Sequence, residues 1–248
     1  QNFIAYHRLA ADYDKREAAG IEPARAYIDE IRNLASFEEY ASKIADFELA
    51  GKPTYFPFGV APDFMDARIN VLWADGPGTI LPDTTYYAED HPQKADLLAK
   101  WRKTQEDLLA KFDFAEEEIK DLLDKVLELD AVFAQYVLSS EESSEYAKLY
   151  HPYKWDDFKA LVPELPLADI FTKLIGQEPD QVIVPEERFW QAAKDIYTSA
   201  NWDKLHALLI LSAVRNTTPY LTDDIRVLAG AYHRALSGTP QAQDKKKA

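Results

Sequence analysis

Residues 54–87 read TYFPFGVAPDFMDARINVLWADGPGTILPDTTYY. This is the one long stretch without helical spacing. Tyr55, Phe56, Phe58 and Val60 form a short extended run interrupted by Pro57, and Ile69 to Ala74 form a second. Ala61-Pro62-Asp63 reads as the turn between them. The pattern predicts a two-stranded ribbon over about residues 54–74, laid against helices because two strands alone are marginally stable in water. The rest, GPGTILPDTTYY, holds two glycines and two prolines and cannot lie inside a helix. Its prolines fix a turning path. Leu81, Tyr86 and Tyr87 are expected to anchor it in the core, and Asp83 to accept backbone hydrogen bonds near the start of the next helix. On that reading Tyr86→Ala removes a buried aromatic and costs roughly 3 kcal/mol.

Outward from this stretch the spacing is helical. Pro23 suits a first turn, followed by a stripe of Tyr27, Ile28, Ile31 and Leu34. Ser36 with Glu39 predicts a capping box ahead of Phe37, Tyr40, Ile44 and Phe47, with Gly51 and Pro53 as the stop. Leu97, Trp101, Gln105, Leu108 and Phe112 mark another helix. Asp113 with Glu116 reads as the start of a long one carrying Ile119, Leu122, Leu123, Val126, Phe133 and Val137. Shorter helices are expected around 155–161, 170–175 and after Pro185, then at 202–214 and 223–236 with Gly238 as the cap. The fold class is mainly α, a multi-helix domain with one small hairpin. The chain is read as one domain over 1–248.

Lys and Arg number 28 against 43 Asp and Glu, a net charge of −15. Such a surface repels phosphate backbones, which argues against a nucleic-acid partner. The basic run Lys245 to Lys247 reads as a solvated tail. No run approaches the roughly 20 apolar residues of a membrane span. There is no cysteine, so disulfides and thiolate metal sites are excluded. The start on Gln1, in mid-pattern, suggests a piece of something longer.

No catalytic constellation emerges. His7, His91, His151, His206 and His233 are isolated, and no His-Glu-x-x-His helix is present. Acidic clusters at Glu116 to Glu118, Asp156-Asp157, Glu186-Glu187 and Asp223-Asp224 each fall in a predicted first turn. There negative charge complements the helix dipole, which explains all four without catalysis. Ser139 to Ser144 reads as an exposed break between helices, with no Gly-x-Ser-x-Gly elbow. The expected catalytic and metal residues of this chain are therefore none.

One resemblance adds to this. Phe56 with Val60-Ala61-Pro62-Asp63, then Leu81-Pro82-Asp83 and Tyr86-Tyr87, resembles a signature of the neprilysin-like zinc endopeptidases. The intervening Gly76-Pro77-Gly78-Thr79-Ile80 departs from the family pattern, in which a glycine directly precedes the Leu-Pro. Fainter similarity runs along nearly the whole chain. The signature residues Val60, Pro62, Asp63, Leu81, Pro82, Asp83, Tyr86 and Tyr87 are expected to be structural. The resemblance implies a non-catalytic helical domain that faces a separate catalytic domain and encloses a chamber admitting oligopeptides. It implies zinc in the full-length enzyme, bound by residues with no counterpart here. Lack of cysteine makes the chain look like an intracellular bacterial member, so a cytoplasmic location is expected. Two other readings stay open: a free-standing acidic helical module that binds a peptide or protein, and an enzyme whose metal site is assembled from scattered His and carboxylates. A broad exposed apolar face would favour the first reading over the self-contained module.

Overall fold

The computed structural model describes residues 11–239 and 241–244. The first helices are α1 (Tyr13–Ala19), α2 (Glu22–Arg32) and α3 (Phe37–Leu49). The sheet strands β1 (Phe58–Pro62) and β2 (Asn70–Ala74) follow, then α4 (Lys94–Lys111), α5 (Glu116–Tyr136) and the one-turn α6 (Ser140–Ser143). Next come β3 (Pro152–Lys154), α7 (Trp155–Lys159), α8 (Leu167–Ile175), β4 (Gln181–Ile183) and α9 (Glu187–Ala192). The last helices are α10 (Trp202–Thr217), α11 (Asp223–Ala229) and α12 (Ala231–Ser237).

Helix α10 is the hub. Leu205, Leu208, Leu209, Leu211 and Val214 are all buried, so it is apolar around most of its circumference. A helix of that kind needs neighbours on every side. It packs on α2 and α5, while α4 lies on α5 and the two last helices. The stripes on α2, α3 and α5 face inward as the spacing predicts, with Ile31, Ile44, Leu123 and Leu129 fully enclosed.

Several local expectations are corrected. Ser36 does cap α3 by accepting from the Glu39 N–H at 3.2 Å, but the Glu39 carboxylate reaches back to Ala35 rather than to Ser36. Asp113 does not cap α5. It stands at φ 62 and its carboxylate takes an Arg25 hydrogen bond at 2.7 Å. The expected helix over 223–236 is two helices that meet at Gly230. Gly238 is the left-handed cap, at φ 65. The 139–144 break forms a short helix with a complete capping box between Ser139 and Glu142.

The ribbon is present but larger than expected. β1 and β2 pair antiparallel with Val60 opposite Leu72. Ala61 and Pro62 belong to β1, and the connection is residues 63–69. β4 then pairs parallel to β2, and β3 antiparallel to β4, so the sheet has the order β1-β2-β4-β3. β3 and β4 have three residues each, too few to show a period. The inner face packs Phe58 with Phe158, Phe171 and Trp190 at ring separations of 5.0–5.8 Å. The outer face carries Val71, Trp73 and Ile183 as a small separate cluster.

Candidate functional site

Four of the eight signature residues, Asp63, Leu81, Asp83 and Tyr87, fall into three separate tie points rather than one site. Asp63 is buried at the start of the hairpin connection. Its Oδ1 accepts the Met65 N–H at 2.7 Å and the Tyr150 hydroxyl at 3.0 Å, which joins the hairpin to the segment before β3. Pro62 and Val60 lie beside it and are exposed.

Asp83 accepts the Thr85 N–H at 2.8 Å and the Ser140 N–H at 2.6 Å. It thus caps the 3-10 turn Thr84–Tyr87 and holds the start of α6. These bonds, led by the one from Ser140, hold its carboxyl well below the usual range.

The third tie point was not foreseen. Asp130, buried on α5, accepts the Ile80 N–H at 2.8 Å through Oδ1 and the Tyr87 hydroxyl at 2.5 Å through Oδ2. The Tyr87 oxygen in turn accepts the Leu81 N–H at 3.1 Å, and Tyr232 donates to the Ile80 carbonyl at 2.9 Å. Leu81 is fully buried. Pro82 is exposed at the outer side of the turn. Tyr86 is only half-buried and stacks on His91 at 4.1 Å, so it is not the core anchor expected of it. Burial is the first cause that pushes the Asp130 carboxyl up, to about 6. One sequence signal pointed here: Asp130 lies four residues after Val126 and three before Phe133, on the apolar stripe of α5.

Asp130 also lines a cavity of about 360 Å³ with Tyr55, Gln105, Ser212, Arg215 and Tyr232. The Gln105 Oε1 in its wall is buried without a partner among the described residues.

A second concavity, an open groove of about 460 Å³, lies on the outer face of the sheet. Ala61, Phe64, Trp73, Leu138, Tyr146 and Leu149 line it, together with Asp75 and Glu186. Around it Val60, Phe64, Met65, Ile69 and Tyr146 are exposed, Met65 by 77%. So large a group of uncovered apolar side chains, four of them on the hairpin, marks an interaction surface.

The histidines do not converge. His91 stacks on Tyr86, His151 Nδ1 lies 3.2 Å from the Val184 carbonyl, and His206 Nε2 lies 2.9 Å from the Ile31 carbonyl. Burial lowers the pKa of His206, which stacks on Trp202. His7 lies outside the described residues. Among the described residues no group of three or more His, Asp or Glu could hold a metal ion. No helix among them is long and apolar enough to cross a membrane.

Comparison with known proteins places the chain in a family. A family model described as peptidase family M13 matches residues 1–248. The chain is 96% identical over all 248 residues to a Streptococcus gordonii protein provisionally named a zinc metalloproteinase of the scaA 5' region, of which it covers 44%. It is 34% identical over 245 residues to the neutral endopeptidase of Lactococcus lactis subsp. cremoris, covering 98% of itself and 39% of that protein. Among solved structures, PepO from Lactobacillus rhamnosis HN001 superposes with a TM-score of 0.89 at 26% identity, over 97% of this chain and 38% of that one. The zinc metalloprotease Zmp1 of Mycobacterium tuberculosis shares the fold, at a TM-score of 0.81 and 17% identity over 96% of this chain and 37% of that one. The chain thus spans less than half the length of the relatives it matches.

Proposed function

The chain belongs to peptidase family M13, and from that premise we propose that it is the non-catalytic helical part of a zinc metalloendopeptidase that cleaves oligopeptides. In this reading it walls the chamber that holds the reacting peptide and limits which substrates enter. Zinc and the groups that act on the peptide bond belong to residues outside this chain. The partners are the catalytic part of the same polypeptide and oligopeptide substrates.

The observation that carries the reading is the uncovered outer face of the sheet. Phe64, Met65, Ile69 and Tyr146 are exposed together beside a groove lined by Trp73 and Ala61. A self-contained module would bury such a face. The same face is suited to line a space shared with another part of the polypeptide. The helical body behind it supplies rigidity, with α10 buried on most sides and the Leu81 segment locked through Asp130.

The test uses the full-length polypeptide and this chain alone, each assayed on an internally quenched peptide with and without a chelator. The full-length protein is expected to hydrolyse the peptide and to lose that activity with the metal, and the chain alone to be inert. Hydrolysis by the chain alone, or chelator-resistant hydrolysis by the whole, would overturn the proposal.

A further inference from the structure

The groove on the outer face of the sheet has one end unlike the rest. Asp75 and Glu186 both line it there, far apart in sequence. Gly76 brings the two segments together: a Cβ at that position would lie 2.8 Å from the Glu186 Cγ. One Glu186 oxygen accepts the Leu138 N–H at 2.8 Å, while the Asp75 side chain has no hydrogen-bond or ion-pair partner among the described residues. Arg188 is the nearby cation, and it is held by Glu142 at 2.8 Å. The corner is thus anionic; the charge of Arg188 acts on Glu186, but its ion pair is with Glu142.

The floor supplies an independent observation. Trp73 is 7% exposed, lines the groove, and its indole N–H is buried without an acceptor. An unpaired buried donor costs free energy that a ligand carbonyl would recover. The edge supplies a third. β1 is an outer strand of the sheet. The Asp75 backbone N–H donates to the Pro57 carbonyl and the Asp63 backbone N–H to the Ile69 carbonyl, so in this register the odd-numbered residues of β1 bond to β2. The N–H and C=O of Val60 then point away from β2, open to a further strand. Pro62 has no N–H and limits that pairing to a short segment.

We propose that this groove binds an extended peptide segment, with a Lys or Arg side chain placed between Asp75 and Glu186 and its neighbouring residues over Trp73 and Phe64. The inference rests on the oligopeptidase reading and adds a substrate preference to it. Complementary charge selects the basic side chain, the Trp73 N–H takes a peptide carbonyl, and the apolar floor takes the residue beside it. Burial is the first cause that raises the Glu186 carboxyl; the Leu138 N–H and the Arg188 charge act against it, and the charge of Asp75 adds to it. Desolvation also raises Asp75, although that residue keeps solvent access at the rim. A cation at this corner relieves both.

The test is fluorescence anisotropy of two labelled peptides on the full-length polypeptide, in chelator so that neither is cut. The peptides are identical except for Lys or norleucine at one position. The Lys peptide is expected to bind about tenfold more tightly, the size of a partly exposed charge-assisted contact. Asp75→Asn is expected to erase most of that difference and leave the norleucine peptide unaffected. Trp73→Phe is expected to weaken both peptides alike. Equal binding of the two peptides by the wild type, or a difference that survives both Asp75→Asn and Glu186→Gln, would overturn the proposal. Hydrolysis of the norleucine peptide after metal is restored reports separately on the peptidase reading: its loss with Lys selectivity intact would sink that reading and leave the groove.

Discussion

Replacing Asp130 with Asn should change stability by an amount that depends on pH, in a direction the structure fixes. Asp130 is buried, and its two oxygens hold the Ile80 N–H and the Tyr87 hydroxyl. Burial raises its pKa from an ordinary 3.8 to about 6. A carboxyl whose folded pKa is raised binds its proton more tightly in the folded chain. Its contribution is therefore fully present below about pH 4 and is lost as pH rises through about 6. Each tenfold change in proton affinity is about 1.4 kcal/mol, so ionised Asp130 leaves the fold roughly 3 kcal/mol less stable than protonated Asp130 would. Asn is uncharged and nearly the same shape. It keeps an acceptor for Ile80, while its amide faces the Tyr87 oxygen. The difference in unfolding free energy between wild type and Asp130→Asn should thus shift in favour of Asn by roughly 2.5 kcal/mol between pH 4 and pH 7.5. Urea unfolding followed by circular dichroism at several pH values reads this directly, and comparing the two proteins cancels the other acidic groups. A difference independent of pH would refute the buried, ionised carboxylate. Asp130→Ala gives the complementary result. It leaves two buried donors without an acceptor, and should cost about 2–5 kcal/mol at pH 5.

Leu81→Ala and Tyr86→Ala should separate sharply in thermal unfolding. The first empties a fully buried site and should cost about 3 kcal/mol. The second removes a half-buried ring stacked on His91 and should cost about 1 kcal/mol. Gly76→Ala should press the Glu186 side chain away from its bond to Leu138, lowering stability by about 1 kcal/mol in the same assay and reshaping the end of the groove. Elemental analysis of this chain after purification with added zinc should find far less than one zinc per molecule, because no described cluster offers three ligands.

What the sequence disclosed follows from where its signals are long. α5 runs for 21 residues, enough for the helical period to appear, and its buried face matches it, while α10, at 16 residues, is buried on most sides. That two strands pair in this stretch was legible from two short runs, but their register was not, because Ala61 and Pro62, read as the turn, pair with Val71 and Asn70. β3 and β4 were not, because a three-residue strand is made by its neighbours rather than by its own pattern. Asp130 escaped notice because a single acid in an acidic helix looks like a surface residue until its place on the apolar stripe is counted. Tyr86 and Tyr87 looked alike in the sequence, yet one reaches a buried carboxylate and the other a histidine ring at the surface. The groove was invisible, since Asp75, Trp73 and Glu186 meet only through the parallel pairing of β2 with β4.

The role assigned to this chain is most directly tested by the dependence of hydrolysis on substrate size in the full-length polypeptide. One cleavable sequence would be presented twice, as a short free peptide and as a loop of a stably folded protein, and kcat/KM measured for each. A chamber walled by this domain predicts efficient cleavage of the free peptide and negligible cleavage of the folded protein until that protein is unfolded and fragmented. Comparable kcat/KM on both forms would contradict the account and leave the helical domain without its proposed part in substrate selection.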